Sequence, residues 1–189
     1  MGILSSFFGR TKIRGGNRDP YFSVITSAIS LAGDTQLRPL EKAGLVFNPV
    51  DTSFFQNLDT EIRDILKISG DATGTRHEVV DDNLGTRWVV LDDHDFEDLV
   101  SVIHIVGETI TEHGFGDRLL AAVFSFDYEG LRAYWVYNIK RGKFYPLVLV
   151  GDRERDNRAE MRLSTLMERE KLPVESNLEQ WYALWGIPF

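Results

Sequence analysis

Apolar residues recur along this chain in two periods, and the dominant period changes near residue 119. In "PYFSVITSAISLA", residues 20–32, Pro20 opens a run with apolar positions at 21, 22, 25, 28, 29 and 32, a helical stripe. "AGLVFNPV", 43–50, predicts a short strand ended by Pro49. "DTSFFQNLDTEIRDILKIS", 51–69, predicts a strongly amphipathic helix capped by Asp51 or Thr52, with Phe54, Phe55, Leu58, Ile62, Ile65 and Leu66 as its core face. The small and polar "GDATGTR" predicts a mobile loop, and "HEVVDDNLGTRWVVLDD" a hairpin turning at Asn83-Leu84-Gly85. Apolar positions 96, 99, 100, 103, 106, 107 and 110 then predict a helix from about residue 95 to Gly114.

Beyond residue 119 the period shortens to two. Strands are expected at 119–127, 131–140 and 143–150, with tight turns at Tyr128-Glu129-Gly130 and Arg141-Gly142. In the middle strand Leu131, Ala133, Trp135, Tyr137 and Ile139 share one face, and Arg132, Tyr134, Val136 and Asn138 the other. The second face is partly apolar, so both faces of this sheet are expected to be covered. "RDNRAEMRLSTLMEREK" predicts a last long helix, capped by Asp156 or Asn157, with Met161 or Leu163, Leu166 and Met167 inward. The elements add up to an α+β fold, mainly an antiparallel sheet (a hairpin plus a three-stranded meander) packed with amphipathic helices. Its order is similar to small chaperone-like α+β folds, such as type III secretion chaperones, which bind proteins and do no chemistry.

Composition narrows the function. The 189 residues include no cysteine, which excludes disulfides, thiolate metal sites and cysteine nucleophiles. No apolar run is long enough to cross a bilayer, and the start lacks the long apolar core of a secretory signal, so a cytoplasmic protein is expected. The net charge of −8 argues against nucleic acid as a partner. That charge is uneven. Residues 1–18 hold Arg10, Lys12, Arg14 and Arg18 and no acid; subtracting this +4 leaves −12 on the rest. Ile3, Leu4, Phe7 and Phe8 precede these cations with helical spacing. An apolar wedge followed by cations is the composition of a peripheral membrane contact, here Ile3, Leu4, Phe7, Phe8, Arg10 and Lys12. The bland reading is a disordered leader whose aromatics dock on the domain or on nothing. The expected organisation is a leader at 1–19, one domain at 20–172, and an aromatic segment at 173–189.

Three clusters invite chemistry. "LDDHDFEDLVSVIH", 91–104, gathers four aspartates, a glutamate and two histidines. Acids at a helix start accept hydrogen bonds from unpaired backbone N–H groups and complement the dipole, which explains the clustering without a ligand. The rival reading is a metal-dependent hydrolase using His94, His104, Asp93 or Glu108; it needs ligands that converge. A second cluster, Lys140, Arg141, Lys143, Arg153, Arg155 and Arg158, surrounds the last hairpin and, with Tyr145, is the candidate surface for a protein or anionic partner. Its bland reading is a solvated turn. The third is "LEQWYALWGIPF", where Leu178, Trp181, Tyr182 and Trp185 have the spacing of one helical face. Such aromatics are expected to pack on the domain; the alternative is a partner-docking motif. Phosphate loops, Gly-x-Ser-x-Gly elbows and His-Glu-x-x-His motifs are missing, so neither a cofactor nor a catalytic residue is assigned.

The runs "DDHDFEDLVSVIHIVGETITEHGFGDRLLAAVFSF", "VYNIKRGKFYPLVLVGDRERDN" and "LPVESNLEQWYALWGIPF", with the opening "MGILSSFFGRTK", resemble the PspA-associated family PspAB. The most specific parts are Lys140 to Pro146, Arg155-Asp156-Asn157 and the Trp181/Trp185-Gly186-x-Pro188 ending. The resemblance implies an accessory or regulator of PspA, the membrane-remodelling protein of bacterial and archaeal envelope-stress responses. It implies a PspA-like partner and carries over no catalytic residue. A non-enzymatic binding module is therefore the expected function.

Overall fold

The computed structural model describes residues 20–34, 36–50 and 53–189, without the side chains of 34, 53–57 and 59. The leader contacts expected at Ile3, Leu4, Phe7, Phe8, Arg10 and Lys12, the caps Asp51 and Thr52, and the side chains of Phe54 and Phe55 lie outside the described residues.

A tight turn at Pro20–Phe22 leads into helix α1 (Ser23–Asp34) and strand β1 (Leu37–Phe47). Helix α2 (Ser53–Thr73) precedes the hairpin β2 (Arg76–Asp81) and β3 (Arg87–Asp92). Helix α3 (Phe96–Ile110) is followed by the meander β4 (Leu119–Tyr128), β5 (Leu131–Asn138) and β6 (Lys143–Gly151). A two-residue strand β7 (Glu154–Arg155) and helix α4 (Asn157–Arg169) complete the regular elements among the described residues. The seven strands form one antiparallel sheet in the order β2-β3-β1-β4-β5-β6-β7. The fold is α+β.

Each face of the sheet carries its own core. The four helices bury Val24, Leu31, Leu58, Ile62, Val106, Leu163 and Met167 against Leu45, Phe124, Phe126 and Trp135. The opposite face presents Val46, Trp88, Val123, Tyr134, Val136 and Tyr145, and Trp181, Leu184, Ile187 and Phe189 cover it. The predicted division of β5 is the observed one: Ala133 and Trp135 face the helices, Tyr134 and Val136 the other core.

Four local readings change. The β1 strand starts at Leu37 rather than Ala43, because its first half carries Pro39 and charges and joins β4 through a register shift between Pro39 and Ala43. A bulge gives a strand proline somewhere to sit. Helix α2 continues through the expected loop to Thr73 and ends on Gly74, at φ 86°. Gly70 is not its stop; a Cβ there would lie 2.6 Å from the Thr75 carbonyl oxygen. On α1 the buried face is Val24, Ala28 and Leu31, continued by Tyr21 in the turn before it, while Ile29 is 67% exposed. The turn before α1 has three residues per turn, which rotates the stripe from its expected phase. On α4, Ala159, Leu163 and Met167 point inward and Met161 is exposed.

Candidate functional site

The acidic stretch resolves into separate local tasks. Asp95 caps α3, its carboxylate accepting from the Glu97 N–H at 2.8 Å. Asp93 accepts from the Thr75 hydroxyl at 2.5 Å and the Asp95 N–H at 2.8 Å. Asp92 accepts from the Arg76 guanidinium at 2.7 Å, with Lys42 at 3.7 Å, and that guanidinium holds its carboxyl below the usual range. Partial burial, with Asp95 and Asp93 nearby, pushes the Asp98 carboxyl up.

The histidines go elsewhere. His94 meets Glu41 at 2.6 Å on the exposed surface. His104 stacks on Tyr21 with ring centroids 5.5 Å apart and meets the Phe22 ring edge-on at 4.7 Å. His113 contacts Glu61 at 3.0 Å and the Thr109 carbonyl at 2.9 Å. His94 precedes α3 and His104 lies within it; the eight helical steps from Phe96 to His104 alone rise roughly 12 Å. Among the described residues no three His, Asp or Glu side chains converge as metal ligands. His104 and Glu108 do share one open cleft of about 140 Å³, floored by Leu45, Ile103 and Ala122 and flanked by Tyr137.

The basic cluster divides between fold and surface. Arg155 donates to both carboxylate oxygens of Glu160, at 2.8 and 2.9 Å, and to the Trp181 carbonyl at 2.8 Å. Glu160 is 2% exposed and also accepts from the Val148 N–H at 2.9 Å. Arg141 donates to Glu175 at 2.5 Å, and Lys143 stands 3.9 Å from the same carboxylate. Tyr145 is buried and donates to the Tyr182 carbonyl at 3.0 Å; burial pushes its hydroxyl well above the usual phenol value. Tyr145 and Arg155 are therefore taken up by the fold. Lys140, Arg153 and Arg158 remain exposed.

The aromatic segment is irregular beyond one short turn, Leu178–Gln180, and the expected helix of Leu178, Trp181, Tyr182 and Trp185 does not form. The carbonyls of Trp181 and Tyr182, which a helix would pair with later N–H groups, accept instead from Arg155 and Tyr145. Leu178 and Tyr182 point outward, at 55% and 51% exposure. Trp181 is buried, stacks on Tyr145 and donates its indole N–H to the Glu175 carbonyl at 2.8 Å. The buried acids Glu160 and Glu175 escaped the sequence reading, because their partners are set by the tertiary fold rather than by local spacing.

Glu175 supplies a pH test. The Arg141 hydrogen bond, then the Asn177 N–H, hold its carboxyl down to about 2, against an ordinary 4.5. A depressed carboxyl stabilises the fold fully above its unfolded value and loses that effect as pH falls toward the folded one. Urea midpoints of the native chain should therefore fall more steeply between pH 4.5 and about 2 than those of Glu175→Gln. Parallel profiles would contradict this.

These features define an α+β domain whose sheet is covered by helices on one face and by its own peptide on the other. Among the described residues no helix is long and apolar enough to cross a membrane. The family model for PspAB, described as PspA associated protein B, matches residues 1–189, and the chain belongs to that family. No curated protein and no solved structure matches the chain.

Proposed function

We propose that this protein is a non-enzymatic accessory of PspA-type envelope-stress systems, acting on the cytoplasmic side by binding a PspA-like partner. The observation that carries this reading is the family match over residues 1–189, whose description ties the family to PspA. The disposition of the reactive side chains supports it. In the 91–104 stretch Asp95 caps a helix, Asp92 pairs with Arg76 and Asp93 accepts from Thr75, and Tyr145 and Arg155 brace the fold. In this reading Lys140, Arg141, Lys143 and Arg153 form the polar rim offered to a protein or anionic partner, in the manner of a small chaperone. Ile3, Leu4, Phe7 and Phe8, with Arg10 and Lys12, touch an anionic membrane peripherally.

Flotation with anionic liposomes tests the membrane part, comparing the whole chain with one starting at Asp19. Binding by the whole chain should be lost on truncation and on Phe7→Ala with Phe8→Ala. Equal binding by both forms would remove the leader from the proposal. A pull-down with a PspA-type protein tests the partner. Capture should weaken on charge reversal at Lys140 and Arg153; no capture by the native chain would overturn the binding reading. Stoichiometric divalent metal in the purified protein, found by elemental analysis, would favour the enzyme reading instead.

A further inference from the structure

The outer face of the sheet holds residues 176–189 as a bound peptide. Past Glu175, whose N–H pairs with the Phe144 carbonyl, no main-chain hydrogen bond among the described residues joins this segment to the sheet. Its own main-chain bonds are local, Gln180 to Asn177 and Trp181 to Leu178. The sheet grips it instead through three side chains from adjacent strands. Tyr134 donates to the main-chain oxygen of Phe189 at 2.9 Å, Tyr145 to that of Tyr182, and Arg155 to that of Trp181.

Two sockets add specificity. Trp181 lies over Tyr145, with ring planes 17° apart. Phe189 sits edge-on to Trp88 and Tyr134, above Gly44 in the centre of β1. A Cβ on Gly44 would stand 2.7 Å from the Phe189 ring. Glycine weakens a strand interior, and its use where another group approaches closely is the usual exception.

This segment can therefore leave while every ladder of the sheet and every helix stays whole. The face it uncovers, with Trp88, Val123, Tyr134 and Val136, is too apolar to stay bare. The peptide whose fit to that face is on view is the segment itself. We infer that residues 176–189 exchange between two copies of this chain, each segment filling the partner's outer face. Every contact made within one chain is remade across the pair, so the balance between the two forms follows concentration. A short tether gives the internal arrangement an effective concentration of about millimolar. The closed monomer dominates below that level, and the exchanged dimer appears where chains crowd together.

The contacts are equal in both forms, so weakening them in a single chain alters the rate of exchange and leaves the balance almost unmoved. Complementation moves the balance. One full-length chain carries Phe189→Ala, with a segment that lacks the ring and an intact face. The other carries Gly44→Ala, with an intact segment and a face whose added Cβ would stand 2.7 Å from that ring. Mixing them lets the intact segment reach the intact face while the shortened segment meets the narrowed one, so the heterodimer escapes both the clash and the empty socket; if Gly44→Ala is insoluble alone, the two chains are refolded together. Native mass spectrometry of the warmed and cooled mixture should show heterodimer in about tenfold or greater excess over either homodimer. A mixture that stays monomeric up to about millimolar concentration, or forms heterodimer only in the statistical ratio, overturns the exchange.

Discussion

Replacing Arg155 by alanine should cost about 3–5 kcal/mol of unfolding free energy, because it strands a buried carboxylate. Glu160 is 2% exposed, and the Arg155 side chain is 18% exposed. Their two-pronged contact lies under the aromatic segment, and Arg155 also holds the Trp181 carbonyl. Burying an ion pair gains little net stability over an apolar pair of similar volume. Removing one partner is different, since the other charge then has no water and no counter-charge. The double variant Arg155→Met with Glu160→Leu should therefore recover much of the loss. A cycle of urea denaturation curves on the four chains checks this. A single-variant loss below about 1 kcal/mol would place the pair in effective contact with solvent.

The second large effect is expected at Trp135. Its side chain is fully buried between the sheet and the helices, with the Phe126 ring centroid 4.4 Å away. Trp135→Ala should cost about 3–5 kcal/mol, from lost transfer energy and the cavity left behind. Trp135→Phe should cost far less. Among the described residues the indole N–H of Trp135 has no acceptor, so phenylalanine gives up volume while relieving an unpaired buried donor. Equal losses for the two variants, measured from far-ultraviolet melting in urea, would show that this N–H is paired.

Much of the architecture could be read from the chain because it is encoded locally. The turn at Tyr128-Glu129-Gly130 needs positive φ at both Glu129 (55°) and Gly130 (80°), the signature of a two-residue hairpin loop. The two-sided pattern of β5 announced a second core. Misreadings arose where a local signal was overridden at a distance. The strand expected from Ala43 begins at Leu37, because β4 accommodates Pro39 with a shifted register. Residues 70–73 had the composition of a loop, yet they continue the helix: Gly70 is small to admit the Thr75 backbone, and the stop is Gly74. The Trp181 and Tyr182 spacing suggested a helix, yet side chains of β6 and β7 claim the carbonyls that a helix needs. Of the basic cluster, the sequence could show the charges but not which of them have buried acidic partners. Gly44 lay unnoticed inside "AGLVF", because only the folded chain brings Phe189 over it.

The place of β1 in the sheet has a consequence for synthesis. The hairpin β2–β3 and the meander β4–β6 each pair neighbours in sequence and can zip up as soon as they are made. The strand between them cannot: Val46 stands opposite Trp88 on one side and Ala121 on the other, and Leu37 opposite Tyr128. On the ribosome β1 emerges early and waits for most of the chain before its second edge is satisfied. Until then Ala43–Phe47, all buried in the finished protein, is an apolar strand with an open edge. The nascent chain is thus most exposed to aggregation after β1 has appeared and before β4 has, and slowing translation across residues 48–118 should lower soluble yield more than slowing it after residue 128.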